Sequence, residues 1–277
     1  MTYKLAFTTC PNDTFSFDAM VNHRLIDNGL DWDLQMHDIE QLNEKAIQTE
    51  FDVVKISVAL YPFIQDDYQI LTAGAALGFG CGPLVIAKEQ FEKADLKNKS
   101  VLLPGKYTTA HLLFSIFAPE VRNKSFKVFS EIQNDVVSGE VNAGVIIHEN
   151  RFTYKDIGLH CLQDLGNYWE EKTKLPIPLG CIAVKRSLSD DEKQLINNRL
   201  SKSVSMALKN PDLSKAYVSK YAQEMDEDVQ RQHIELYVND FSIDLGERGK
   251  EAVLTLLNYG AELGILPALH QKELFIK

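Results

Sequence analysis

The sequence predicts an α/β fold made of two lobes with a cleft between them. Three observations carry this expectation. Short apolar, often β-branched runs alternate with helix-compatible stretches through residues 3–184, the pattern of repeated strand–helix units. Two apolar runs, at 84–87 and 181–184, bracket a group of these units and read as the strands where the chain crosses between lobes. The length of 277 residues exceeds the usual size of one domain. Residues 1–87 with 185–277 are therefore assigned to a larger lobe, and 88–184 to a smaller one inserted in it.

In chain order, residues 3–8 form an apolar strand that runs into Thr9-Cys10-Pro11-Asn12-Asp13 and a helix start near Phe17. A strand, a tight turn and a helix start present backbone N–H groups to an anion. Asn12 and Asp13 are candidate pocket residues, and either suits the N-cap. Residues 34–39 give a second strand, and 38–46 enter a helix through an acidic first turn, as the helix dipole prefers. Residues 51–57 are a third strand, interrupted by Lys55. An ammonium near the end of a buried strand must reach water or an anion, so Lys55 is either a snorkelling edge lysine or a ligand contact. Ser57, at the next helix start, is a cap or a carboxylate site.

Residues 69–76 form a further strand, followed by a glycine-dense turn at 77–83 whose spacing matches neither a phosphate loop nor a dinucleotide fingerprint. Residues 88–99 are charged and helix-compatible. After a strand at 100–104, Gly105-Lys106-Tyr107-Thr108-Thr109-Ala110-His111 places hydroxyls and free N–H groups at the start of a helix with Leu112, Leu113, Ile116 and Phe117 on its apolar face. Thr108 or Thr109 caps it, and in a second lobe this arrangement can grip an acid. His111 is expected to face solvent in the first turn.

Residues 127–130 read as a strand and 131–137 as a helix. The uncharged, β-branched run at 144–147 is a buried strand that delivers His148 and Glu149 to its carboxyl edge, where open α/β sheets bind ligands. An imidazole held there is a catalytic candidate, and a capping or surface histidine is the alternative. A short strand at 159–164 and a helix start at 168–171 follow. The prolines at 176 and 178 stiffen the next connector as a hinge border or pocket wall would require, which brings in Pro178. Beyond Ser189 the chain is helical: a capping start at 189–192, then helices at 212–225, 227–238 and 246–263.

The formal charge of −10 and the dispersal of basic residues argue against nucleic acid or an anionic membrane surface as partner. No apolar run reaches a spanning length, so no membrane insertion is expected, and Met1 leads straight into a strand without a signal-like segment, so the cytoplasm is the expected compartment. Cys10, Cys81, Cys161 and Cys181 have no zinc or redox spacing, and no metal or nucleotide motif occurs. No cofactor is therefore expected. The expected partner is a small carboxylate bound by hinge closure, a homodimer being left open. A two-lobe cleft alone does not separate a solute-binding protein from an enzyme.

Five short motifs taken in order are more specific: C-P-N-D-T-F from Cys10, K-I-S at Lys55 to Ser57, G-x-G-x-G-P ending at Pro83, T-T-A-H at Thr108 to His111, and I-I-H-E ending at Glu149. Together they resemble the 1,4-dihydroxy-6-naphthoate synthase family of the futalosine route to menaquinone. The resemblance covers most of residues 1–184, and the helical remainder agrees in length and character. It implies a two-lobe, periplasmic-binding-protein-like fold (type II) with a substrate cleft, and a cofactor-free carbon–carbon lyase that splits cyclic dehypoxanthinylfutalosine into the naphthoate and dihydroxyacetone. By the same resemblance His148 is the catalytic base, and Lys55, Ile56, Ser57, Thr109 and Ala110 contact substrate.

Such a fragmentation needs a base for a hydroxyl proton, donors for the developing oxyanion and a dry cleft. Glu149 is not expected to orient the imidazole, because neighbours on a strand face opposite ways. Cys10, which recurs in the family, is given no chemistry. Two rivals share the fold: a chorismate dehydratase of the same pathway, and a non-catalytic organic-acid-binding protein.

Overall fold

A computed structural model describes residues 2–25, 29–223, 226–271 and 273–277. The elements run β1 (Thr2–Phe7), α1 (Pro11–Val21), β2 (Asp31–Met36), α2 (Ile39–Ile47), β3 (Val53–Ser57), α3 (Tyr61–Ile64), β4 (Tyr68–Ile70) and β5 (Ala76–Gly78). There follow β6 (Leu84–Ala87), β7 (Val101–Leu103), α4 (Thr109–Phe117), β8 (Lys124–Phe126), α5 (Phe129–Ser138), β9 (Ala143–Ile146), α6 (Asn150–Thr153), β10 (His160–Asp164) and α7 (Leu165–Thr173). The chain ends with β11 (Ile177–Lys185), α8 (Asp190–Lys209), α9 (Asp212–Tyr221), α10 (Glu227–Tyr237), α11 (Asp240–Ile243) and α12 (Gly246–Glu262).

Two mixed sheets result. The first has the order β2-β1-β3-β11-β4, with β5 also against β11; the second has the order β10-β6-β9-β7-β8. In the first, β1 is parallel to β2 and β3, and β11 returns antiparallel along β3. In the second, β7 is parallel to β8 and β9 while β6 runs antiparallel to β9 and β10. Residues 84–87 and 181–184, expected to be a matched pair of crossing strands, lie in different sheets: β6 is wholly in the second and β11 in the first. The outward crossing is the turn at 79–83. Arg151 pins it by donating to the carbonyls of Gly82 and Gly80, and to Asp164 Oδ2 at 2.6 Å.

Helix α1 is buried along nearly its whole length because α8, α9 and α10 all pack on it. One apolar cluster joins β1, α1 and α8, another lies under α5 on the second sheet, and a third runs continuously between the sheets. The lobes thus share apolar surface as well as the cleft. Helix α8 starts at the expected cap, where Ser189 accepts the Glu192 N–H and the Glu192 carboxylate accepts in return. Among the described residues no helix is long and apolar enough to cross a membrane.

Several elements differ from expectation for local reasons. The second strand occupies 31–36 rather than 34–39, because Asp38 is spent as the N-cap of α2 in a capping box with Gln41. Residues 127–130 are not a strand. The strand precedes them at β8, and Phe129 opens α5, whose buried Phe129, Ile132 and Val136 recur at helical spacing. The single strand expected at 69–76 is split into β4 and β5 by Gly74, whose φ is 81°. The charged stretch at 88–99 forms only a 3-10 turn, Lys93–Asn98, with Leu96 its one buried residue. The helix expected at 212–225 ends at Tyr221, and residues 224–225 lie outside the described residues.

Candidate active site

Between the sheets lies a narrow cavity of about 80 Å³, with Asn12, Asp13, Lys55, Ser57, Thr108, Thr109, Ala110 and His148 in its walls. Each is placed by the end of a strand or the start of a helix. On β3 the side chains alternate, so Lys55 and Ser57 point into the cavity while Ile56 points away into the core. Expected as a substrate contact, Ile56 does not line the cavity. Opposite, β11 supplies Leu179 and Gly180, and the expected Pro178 is not part of the wall. Gly180 has a steric reason to be there: a Cβ on it would sit 2.9 Å from Lys55 Cε.

Lys55 is answered by an anion inside the protein. Its Nζ donates to Asp13 Oδ1 at 2.8 Å, and Asp13 also accepts from Asn12 Nδ2 at 2.9 Å and from Thr8 Oγ1 at 2.8 Å. Neither Asn12 nor Asp13 is the N-cap of α1. Pro11 takes the first helical position, as its fixed φ and missing N–H favour, and leaves Cys10 at the cap. Ser57 is oriented by Asn43, which donates to its Oγ at 3.0 Å and accepts its N–H at 2.9 Å, so the hydroxyl hydrogen of Ser57 remains for a ligand.

From the smaller lobe, Thr108 caps α4 by accepting the His111 N–H. The N–H groups of Thr109 and Ala110 open the helix and have no partner within it, the usual condition of an anion site. The Thr109 hydroxyl is otherwise engaged: it donates to the Leu179 carbonyl at 2.7 Å and accepts the Ala59 N–H at 3.2 Å, tying α4 to the first sheet. Glu40 on α2 adds a second tie by accepting the Tyr107 N–H at 3.0 Å. His111, expected in solvent, is half-buried edge-on against Phe126, with Nδ1 2.7 Å from the Lys106 carbonyl.

His148 lies two residues past the end of β9, where its φ of 58° puts a non-glycine residue in the left-handed region. That turn breaks the strand's alternation, so the expectation that Glu149 would face the opposite way fails. Glu149 is buried, and one donor atom each of Cys10, His148 and Glu149 lie within 4.8 Å of one another. Among the described residues this trio could hold a metal ion, a grouping that linear spacing conceals because Cys10 is remote from the other two in sequence. The His148 ring is clamped edge-on by Phe129 at 4.8 Å and stacked on His233 at 6.0 Å, and its Nδ1 is 3.6 Å from Cys10 Sγ. Its Nε2 is buried and has no hydrogen-bond partner among the described residues. Burial, reinforced by Lys55 and opposed by Asp13, pulls the His148 pKa down to about 4, so the ring is neutral near pH 7.

A family model described as "Menaquinone biosynthesis" matches residues 3–262. The chain belongs to this menaquinone-biosynthesis family. Two relatives are named "1,4-dihydroxy-6-naphtoate synthase". That of Streptomyces coelicolor is 43% identical over 273 residues, covering 97% of this chain and 96% of the relative. That of Thermus thermophilus is 38% identical over 278 residues, covering 99% and 98%. Among solved structures, the alkanesulfonate-binding protein of Xanthomonas axonopodis pv. citri bound to MOPS aligns with a TM-score of 0.73 at 13% identity, over 96% of this chain and 94% of that one. The fold is thus the two-lobe periplasmic-binding-protein architecture, and in this member of the menaquinone-biosynthesis family it carries an imidazole in the cleft.

Sequence reading of this family member missed His233, which is fully buried and whose Nε2 lies 2.9 Å from Asn12 Oδ1. Asn12 Nδ2 is committed to Asp13, so its oxygen faces His233 and the ring nitrogen donates. Asn43 and Glu40 were likewise passed over on α2. The signal available was their polarity at helix positions that face inward, but inward direction is knowable only once the helix is docked.

Proposed function

We propose that the chain is a 1,4-dihydroxy-6-naphthoate synthase of menaquinone biosynthesis, a cytoplasmic, cofactor-independent carbon–carbon lyase that converts cyclic dehypoxanthinylfutalosine to 1,4-dihydroxy-6-naphthoate and dihydroxyacetone. The observation that carries this reading is the His148 Nε2: a neutral, buried ring nitrogen without a partner among the described residues, in a cleft walled by donors from both lobes. A purely binding cleft has no use for an immobilised base.

The carboxylate of the substrate is held by the N–H groups of Thr109 and Ala110, with the Ser57 hydroxyl as a further donor. His148 Nε2 takes the proton of a substrate hydroxyl. The oxygen's electron pair closes to a carbonyl, the adjacent carbon–carbon bond breaks, and its electrons pass into the ring system that becomes the naphthoate. Lys55 keeps positive charge beside the developing anion, although Asp13 partly neutralises it. Lobe closure excludes water, so each of these interactions acts in a low-dielectric site.

The deciding experiment incubates the protein with cyclic dehypoxanthinylfutalosine and, separately, with chorismate, and follows products by mass. Naphthoate from the first and no reaction of the second are expected. Dehydration of chorismate would transfer the chain to the rival enzyme, and saturable binding without any product would make it a binding protein.

A further inference from the structure

We propose that Cys10 is the positioning residue of the base: its sulfur accepts the His148 Nδ1–H and so fixes the tautomer whose Nε2 lone pair is available to substrate. This rests on the reading of His148 as the base and adds the group that sets its hydrogen.

The ring has little freedom to choose its own orientation. Phe129 and His233 hold its plane from two sides, and the left-handed backbone at His148 fixes where it leaves the chain. The contact between Cys10 Sγ and His148 Nδ1, at 3.6 Å, is then the hydrogen bond that separates the two tautomers. If the thiol donated to Nδ1, the other nitrogen would carry the hydrogen and could not accept a proton.

Two features favour the opposite direction. The Glu149 carboxylate lies within 4.8 Å of the sulfur, and negative charge there turns the S–H toward itself and away from the imidazole. Cys10 is also buried, so its sulfur is shielded from water that would compete for its lone pair. Its hydrogen can turn to the carboxylate while a sulfur lone pair accepts from Nδ1. The position of Cys10 is itself secured, because it caps α1 and its N–H donates to Thr8 Oγ1 at 3.2 Å. Carboxylate, thiol and imidazole thus form a compact cluster, each contributing an atom within 4.8 Å of the others.

The test reads the tautomer directly. Protein labelled with 15N in histidine, without substrate, is examined at pH 7.5, with the His148 ring signals assigned by their loss in His148→Gln. A protonated Nδ1 and an unprotonated Nε2 are expected in the wild type, and Cys10→Ala is expected to move the ring toward the Nε2–H form that a free imidazole prefers. In turnover, Cys10→Ala should lower kcat by about 10- to 100-fold with KM changed no more than about twofold, and Cys10→Ser, which restores an acceptor, should recover part of the loss. A wild-type ring protonated at Nε2, or a tautomer unmoved in Cys10→Ala, overturns the proposal. If Cys10→Ala does not fold, the wild-type spectrum alone decides. The spectrum needs no substrate, so failure of the lyase assay would remove the proposed function while leaving this result to stand or fall by itself.

Discussion

Lys55 and Asp13 form an ion pair of 2.8 Å with side chains only 6% and 3% exposed, joining β3 to the first turn of α1 directly beneath the cleft. The pair is one device with two effects. It makes a lysine tolerable on a buried strand, and it spaces a positive charge at the cavity wall in the room left by Gly180.

Removing the ammonium strands a buried carboxylate. Lys55→Met is expected to cost about 3–5 kcal/mol in urea-induced unfolding, and the double change Lys55→Met with Asp13→Asn to recover part of it. Wild-type stability in the single variant would mean that water reaches Asp13 in solution.

Loss of the proposed base should separate chemistry from binding. His148→Gln is expected to lower kcat by about 10²- to 10⁴-fold, while calorimetric binding of the substrate stays within a few-fold of wild type. Wild-type turnover in this variant would remove His148 from the mechanism.

The depressed imidazole predicts an unusual pH profile. In the proposed role His148 works only when neutral, and with a pKa of about 4 its neutral form is complete above about pH 5 and is lost as pH falls through 4. The profile of kcat/KM should therefore show no acid limb near the ordinary histidine value of about 6.5. An inflection there would show the ring to be solvated in the working protein. Stability follows the same ring in the other direction. Between about 6.5 and 4 the unfolded imidazole binds a proton that the folded one refuses, so stability falls as pH falls across that window. His233, pushed down by burial and by His148, adds to the slope. Melting temperatures should drop from pH 6.5 to 4, less steeply in His148→Gln.

Closure must be reversible for a substrate to enter. A cavity of about 80 Å³ is well below the roughly 300–1,000 Å³ of ordinary ligand sites, so binding requires the lobes to part. Parting breaks the Glu40–Tyr107 bond and releases the Thr109 hydroxyl from Leu179. Glu40→Ala, which removes a charge-assisted bond of about 1.5–3 kcal/mol, should shift the unliganded protein toward the open form by about tenfold or more. A larger radius of gyration in solution scattering and a raised KM are expected. Gly105→Ala, whose Cβ would fall 2.5 Å from the Glu40 carboxyl carbon, should act in the same direction. Unchanged scattering in both would place the hinge control elsewhere.

The alternation of apolar runs and helix starts, the threonine cap at α4, the serine capping box at α8 and the arrival of His148 at a strand's end were all legible in the chain itself, because each depends on neighbours a few residues apart. So was the oddity of Lys55, since a charge in an apolar strand demands a partner. Its partner was not legible: Asp13 lies 42 residues away, and nothing local distinguishes it from a cap. The same limit hid His233 from His148, Cys10 from Glu149, and Glu40 from Tyr107. One inference failed for a different reason. Alternation along β9 was carried past Ile146, where a left-handed residue ends it and turns Glu149 toward the site. Sequence thus determined the elements and the groups able to do chemistry, through periodicity and capping. Which of those groups meet, and the neutral state of the imidazole, were decided by the docking of two sheets, because hydrogen bonding and desolvation depend on distance in space rather than on order along the chain.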